Sequence, residues 1–148
     1  MGLYFLDTSA LVKLYVQEPG TDRLLHLFEN SSEKRIAVLS LSVVEARSAI
    51  RRRQRAGDID QDAADFVIDS LHRHMESRFL RQPVNDTVID ASLGAVDRYA
   101  LRAYDAMQLA GCLVLSAMER RPWTFVCSDR QLLEAARLAD LSVLDPTA

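Results

Sequence analysis

The sequence predicts an α/β fold, a three-layer α/β/α sandwich with helices on both faces of a mainly parallel sheet, and three observations carry that expectation. Short continuous apolar runs at residues 3–6, 36–39 and 123–127 suit strands buried on both faces. Stretches of helical period lie between these runs, and strands that alternate with helices build parallel sheets. A chain of 148 residues buries on folding roughly 70% of the surface it exposes when unfolded, enough for a full core without disulfide or metal staples.

In chain order, the strand at 3–6 stops at Asp7, and a helix is expected at 21–29. The strand at 36–39 leads into a helix at 43–55, whose Arg-rich end precedes Gly57, a residue suited to the left-handed C′ position. Helices at 61–78 and 87–100 follow. The helix at 105–119 carries Ala106, Leu109, Ala110, Cys112, Leu113, Val114 and Leu115, apolar nearly all the way round, so it is expected to be buried on most sides. After the strand at 123–127 come a helix at 130–139 and a last edge strand at 142–144. With no Pro-rich linker, low-complexity segment or internal repeat, residues 1–148 read as one domain.

Composition narrows the function classes. Two cysteines do not make a disulfide scaffold. The longest apolar stretch, 109–115, is far below the roughly 18 residues of a membrane span, and the N-terminal segment has neither a basic region nor a cleavage site. Myristoylation at Gly2 needs Ser or Thr where Leu6 stands. A cytoplasmic protein is expected. With 18 Lys and Arg against 21 Asp and Glu, the net charge of −3 argues on its face against nucleic acid as a partner.

The placement of four acids argues otherwise. Asp7 and Asp129 follow predicted strands, while Glu45 and Asp105 lie at the starts of predicted helices. In an open parallel sheet these positions share the edge at the carboxyl ends of the strands, where ligands bind. Each acid has a plainer explanation. Asp7 suits an N-cap, Ser42-Val-Val-Glu45 and Ser128-Asp-Arg-Gln131 match capping boxes, and Asp105 complements a helix dipole. Singly, capping is the stronger reading. Together, four carboxylates facing one crevice repel unless a cation compensates, and the chain has only two lysines, Lys13 and Lys34. Oxygen ligands without His or Cys at chelating spacing point to Mg²⁺ or Mn²⁺ rather than Zn²⁺. Such a site suits phosphodiester hydrolysis.

Four motifs carry a family resemblance: Phe5-Leu-Asp-Thr-Ser-Ala-Leu-Val-Lys13, Val44-Glu-Ala46, Leu101-Arg-Ala-Tyr-Asp-Ala106, and Cys127-Ser-Asp-Arg-Gln-Leu-Leu-Glu-Ala-Ala136. In order and spacing the chain resembles the PIN-domain ribonucleases, especially the VapC toxins of bacterial and archaeal toxin–antitoxin pairs. The resemblance implies a PIN-like sheet of roughly five strands. It also implies a metal-dependent endoribonuclease in which Asp7, Glu45, Asp105 and Asp129 are both the metal ligands and the catalytic residues. A metal-activated water would attack phosphorus in line, leaving a 5′ phosphate and a 3′ hydroxyl. Thr8, Ser9, Ser128 and Arg52 are the candidate substrate contacts. Arg52 shares a helical stripe with Glu45, whereas Arg47, Arg51 and Arg55 share another. The implied partners are an RNA substrate, a VapB-like antitoxin and a second copy of the chain, with no membrane. Two positions depart from the family pattern: Gln108 stands where many relatives have histidine, and Asp140 where glycine is common.

Other signals fall away. Asp58-Ile-Asp-Gln-Asp62 lacks the glycine and the final glutamate of a calcium loop. His72 and His74 do not share a helix face, and Cys112 and Cys127 read as buried small hydrophobes. A phospho-accepting receiver needs a lysine after a late strand, which is missing here. A housekeeping RNA-processing PIN nuclease and a non-catalytic PIN-like binding module are the alternatives. Setting the four site acids aside leaves 17 acidic against 18 basic residues, so the rest of the chain carries +1. The acidity that argued against nucleic acid is that of the proposed metal ligands.

Overall fold

A computed structural model describes residues 2–29 and 31–148. The chain runs β1 (Gly2–Leu6), α1 (Thr8–Lys13), α2 (Thr21–Leu27), a 3-10 turn (Ser31–Glu33), β2 (Lys34–Leu39), α3 (Ser42–Arg55) and α4 (Gln61–Ser77). It continues through β3 (Phe79–Gln82), α5 (Asp86–Tyr99), α6 (Ala103–Glu119), β4 (Thr124–Val126), α7 (Arg130–Leu138) and β5 (Val143–Leu144). The five strands form one sheet in the order β3-β2-β1-β4-β5, and every neighbouring pair is parallel.

Side-chain alternation along each strand divides the core in two. Leu3 and Phe5 of β1, Ala37 and Leu39 of β2 and Phe125 of β4 face a layer made by α5, α6 and α7. Leu6, Val38 and Val126 face the opposite layer, made by α1 to α4. The three layers expected from the alternating elements are present. Among the described residues no helix is long and apolar enough to cross a membrane.

Two elements escaped the sequence reading. The first is β3, four residues of which Arg81 and Gln82 are polar, directly after the end of α4. It pairs only with β2, and Pro83, which has no N–H to donate, follows its last residue. The second is α1, six residues capped by Asp7 and too short for a helical period to show. The helix expected at 105–119 starts two residues earlier, so Asp105 lies inside its first turn rather than opening it. Gly57 takes φ 85°, as its C′ position requires. Asp140 takes φ 66°, which explains why glycine also suits that turn; aspartate is among the few residues that tolerate it. The acidic stretch at 58–62 is a helix start, with the Asp60 side chain accepting from the Ala63 N–H at 2.8 Å.

α6 is the most deeply set helix, with Ala106, Leu109, Ala110 and Cys112 fully buried. Gly111 sets how close it comes to the sheet: a Cβ there would lie 2.8 Å from Leu39 Cδ1 and 3.2 Å from Phe5 Cζ, both in side chains with no exposed surface. Gly111→Leu is therefore expected to lower unfolding free energy by about 1–3 kcal/mol through overpacking, read as a reduced urea midpoint.

Candidate active site

In this strand order β1 is the switch point: β2 and β3 lie to one side of it, β4 and β5 to the other. In open parallel sheets ligands bind just outside the carboxyl ends of the strands at such a point. Asp7 and Asp129 stand at those ends of β1 and β4. The Asp7 N–H donates to the Val126 carbonyl at 3.1 Å, carrying the ladder one residue past the strand. Its carboxylate caps α1, Oδ1 accepting from the Ala10 N–H at 2.9 Å and the Ser9 hydroxyl at 2.7 Å. Asp129 caps α7 by accepting from the Leu132 N–H at 2.8 Å. The Ser128 N–H reaches Ser9 Oγ at 3.4 Å and so joins the two strand ends, while Ser128 Oγ is buried without a partner. Cap and site are therefore the same residues at Asp7 and Asp129.

Glu45 reaches this edge from α3. The capping box expected at Ser42 does not form: α3 begins from Leu41, with no side-chain cap. Ser42 and Glu45 turn inward instead. The Thr8 hydroxyl donates to Glu45 Oε1 at 2.7 Å, and the amide of Gln108, from α6, lies 2.9 Å from Ser42 Oγ, 3.1 Å from Thr8 Oγ1 and 3.2 Å from Glu45 Oε1. The second expected box also fails, since Asp129 rather than Ser128 is the cap and the Gln131 amide reaches the Ala100 carbonyl at 3.1 Å.

Electrostatics link the four acids. Burial raises the Asp7 carboxyl from 3.8 to about 6; hydrogen bonds from Ala10, Ser9 and the Cys127 thiol pull it down, and Asp105 pushes it up. Asp105 is raised by burial, then by Asp129 and Glu45, with Arg102 opposing. Asp105 is thus linked to each of the other three: Asp129 and Glu45 raise it, and it raises Asp7. Lys13 is held by Glu18 at 3.3 Å, and the Lys34 ammonium donates to the Leu27 carbonyl. Among the described residues no set of three or more His, Cys, Asp or Glu side chains already stands in a geometry that would hold a metal ion. The chemistry of the donor set nevertheless fits a hard divalent cation: every donor is a carboxylate oxygen, and like charges crowd at one strand end.

A groove of about 610 Å³ opens beside Glu45, the one of the four acids that lines it, with Thr8, Ser9, Glu18, Arg52 and Tyr104 among the other lining residues. Arg52 therefore shares the groove with Glu45, as the helical stripe predicts. Its guanidinium lies 3.4 Å from Ser48 Oγ, whereas Arg51 pairs with Asp65 of α4 at 2.9 Å. His74 accepts or donates to the Tyr15 hydroxyl at 2.6 Å, away from the acids.

Three site residues were not recognised as such from sequence. Gln108 follows Asp105 by three positions and Ser42 precedes Glu45 by three, so each shares a helix face with an acid, a spacing that could have flagged both. Cys127, read as a small hydrophobe, accepts from the Asp129 N–H at 3.2 Å and turns its thiol to the Asp129 carbonyl at 3.5 Å. Burial and the Asp7 charge push its thiol far above its usual range, so it stays protonated.

An acid-lined crevice at the switch point of an all-parallel, five-stranded α/β/α sandwich defines a class of proteins, and comparison with known proteins places the chain within it. A family model described as PIN domain matches residues 4–138. The chain belongs to the PIN-domain family. It is 32% identical to Ribonuclease VapC35 of Mycobacterium tuberculosis over 145 residues, 97% of each chain. Among solved structures, a toxin–antitoxin complex from Klebsiella pneumoniae contains a chain with TM-score 0.63 and 14% identity, covering 97% of both chains. PAE2754 of Pyrobaculum aerophilum matches with TM-score 0.63 and 23% identity, covering 98% of this chain and 84% of its own.

Because folding raises the Asp7 pKa, the folded state favours the protonated acid. The stability this gives is complete below pH 3.8 and is lost as pH rises through about 6. Asp7→Asn keeps the acceptor for Ala10. It is expected to stabilise the protein in EDTA at pH 8 by up to about 3 kcal/mol, at roughly 1.4 kcal/mol per pKa unit. The gain should shrink towards zero near pH 4. Urea unfolding at the two pH values checks this.

Proposed function

We propose that the chain is a metal-dependent endoribonuclease and the toxin of a VapBC-type toxin–antitoxin pair, acting in the cytoplasm. The observation that carries the reading is the gathering of four acids at one edge of the sheet, where Asp129 and Glu45 raise Asp105 and Asp105 raises Asp7, beside an open groove. Support comes from the Mycobacterium relative, a ribonuclease by name, and from the Klebsiella complex of the same fold, a toxin bound to its antitoxin.

Asp7, Glu45, Asp105 and Asp129 would hold Mg²⁺ or Mn²⁺. Such an ion, when bound, supplies Lewis-acid polarisation of the phosphate and an acidified water as nucleophile. The chain's own residues do the rest. The Ala10 N–H and the Ser9 hydroxyl hold one oxygen of Asp7 and leave the other to the crevice. The Thr8 hydroxyl fixes one oxygen of Glu45 in the same way. Arg52, in the groove with Glu45, offers a cation to the RNA phosphates, a contact that carries no sequence preference. Thr8 and Ser9 line the groove as candidate substrate contacts through oxygens whose protons go to Glu45 and Asp7, and Ser128, whose Oγ is buried, is the third candidate. A protein antitoxin is the proposed partner of the groove side, and a second copy of the chain completes the assembly.

Cleavage of RNA in Mg²⁺ or Mn²⁺ tests the reading. Asp7→Asn, Glu45→Gln, Asp105→Asn and Asp129→Asn are each expected to lower kcat at least about 100-fold, and EDTA to abolish cleavage. Full activity of the Asp7 and Asp105 variants, or of the wild type in EDTA, would sink it. Arg52→Ala is expected to raise KM more than it lowers kcat and to flatten the salt dependence of RNA binding by about one counterion.

A further inference from the structure

Gln108 is 3% exposed, comes from the helix that carries Asp105, and sits among groups from two other helices. Its two amide protons face three acceptors: Ser42 Oγ, Thr8 Oγ1 and Glu45 Oε1, at 2.9, 3.1 and 3.2 Å. Two protons cannot serve three acceptors fully. The shorter contacts, to the two hydroxyl oxygens, take them first. A hydroxyl that accepts from Gln108 must spend its own proton elsewhere, and the nearest acceptor to Thr8 is Glu45 Oε1 at 2.7 Å. Gln108 thereby determines which way the Thr8 proton points. Turning the amide over would set its oxygen against the Glu45 carboxylate, so the donor face is fixed by charge. Gln108 Oε1 is buried and finds no donor. A glutamine buried here with an unsatisfied acceptor is not explained by packing alone.

We propose that Gln108 is a positioning residue that fixes Glu45 for cation binding, acting through the Thr8 hydroxyl. The proposal rests on the metal-site reading given under Proposed function. Thr8 belongs to α1, Glu45 to α3 and Gln108 to α6, so one amide sets the relation between three helices at the crevice. Because an amide does not titrate, the donors that Gln108 supplies do not change with pH.

The test measures Mn²⁺ binding by calorimetry without RNA, so that turnover plays no part. Gln108→Met keeps the unbranched shape and removes the donor. Its Mn²⁺ affinity is expected to fall about 10- to 100-fold, the usual cost of losing a partner to a metal ligand. Its urea midpoint should hold or rise, because the orphaned Oε1 is gone. Thr8→Val should lose affinity to a similar extent, Thr8→Ser should retain it, and the Gln108→Met/Thr8→Val pair should be no worse than Thr8→Val alone. Gln108→Asn, which withdraws the amide by one methylene, should repeat the loss and serves if the Met variant does not fold. Wild-type affinity in Gln108→Met or Gln108→Asn, losses that multiply in the pair, or a lowered midpoint with unchanged affinity would each overturn the proposal. A wild-type protein that takes up no Mn²⁺ overturns the metal-site reading itself, and the role of Gln108 with it.

Discussion

The position of β1 constrains everything else. It is paired on both sides, by β2 and by β4, and its side chains enter both halves of the core, Phe5 into one and Leu6 into the other. A strand so placed has no face on which to carry a charge, so its polar chemistry can begin only where the pairing ends. That point is Asp7. The parallel arrangement brings the end of β4 alongside, and with it Ser128 and Asp129. The loops must part here because the chain fills the two sides of β1 at different times: β2 after α1 and α2, β4 only after β3 and four further helices. The crevice is a result of strand order before it is a result of any side chain.

Two kinds of work meet on the same carboxylates. Asp7 and Asp129 accept the backbone N–H groups that open α1 and α7, and each uses one oxygen to do so. Capping therefore orients the acids, because an oxygen tied to a helix start fixes the plane of the other. Glu45 is held differently, by the Thr8 hydroxyl with the Gln108 amide behind it, since Leu41 leaves α3 without a side-chain cap. Desolvation at both Asp7 and Asp105, with repulsion from Asp129 and Glu45 added at Asp105, penalises the charged site, so the fold carries an electrostatic cost at the end of its central strand.

The three layers and the candidate acids could be read from sequence because both follow from period and order. Apolar runs marked the strands at the centre of the sheet, and the acids stood directly after strands or within the first turn of helices. What stayed hidden depends on contacts between distant segments. β3 is short and half polar, and it is a strand because β2 offers it a ladder, not because of its own pattern. The boxes expected at Ser42 and Ser128 obey a local rule that tertiary contacts override: Ser42 is drawn to Gln108, and Gln131 to the end of α5. Cys127 looked inert because its residue type is, yet its sulfur accepts from the Asp129 N–H and so helps set the turn that carries an acid.

Gly111 links these levels. It lies six residues beyond Asp105 on α6, about 9 Å along the helix axis, and the absence of its side chain lets the helix rest against Phe5 and Leu39. The same rigid rod carries Gln108 and Asp105 at its outer end. The contact at Gly111 thus acts as a depth stop, setting how far a carboxylate and an amide project over the mouth of the sheet. Along this helix, tightness of packing and reach of the reactive groups form a single inherited trait, so a change selected for one cannot leave the other untouched.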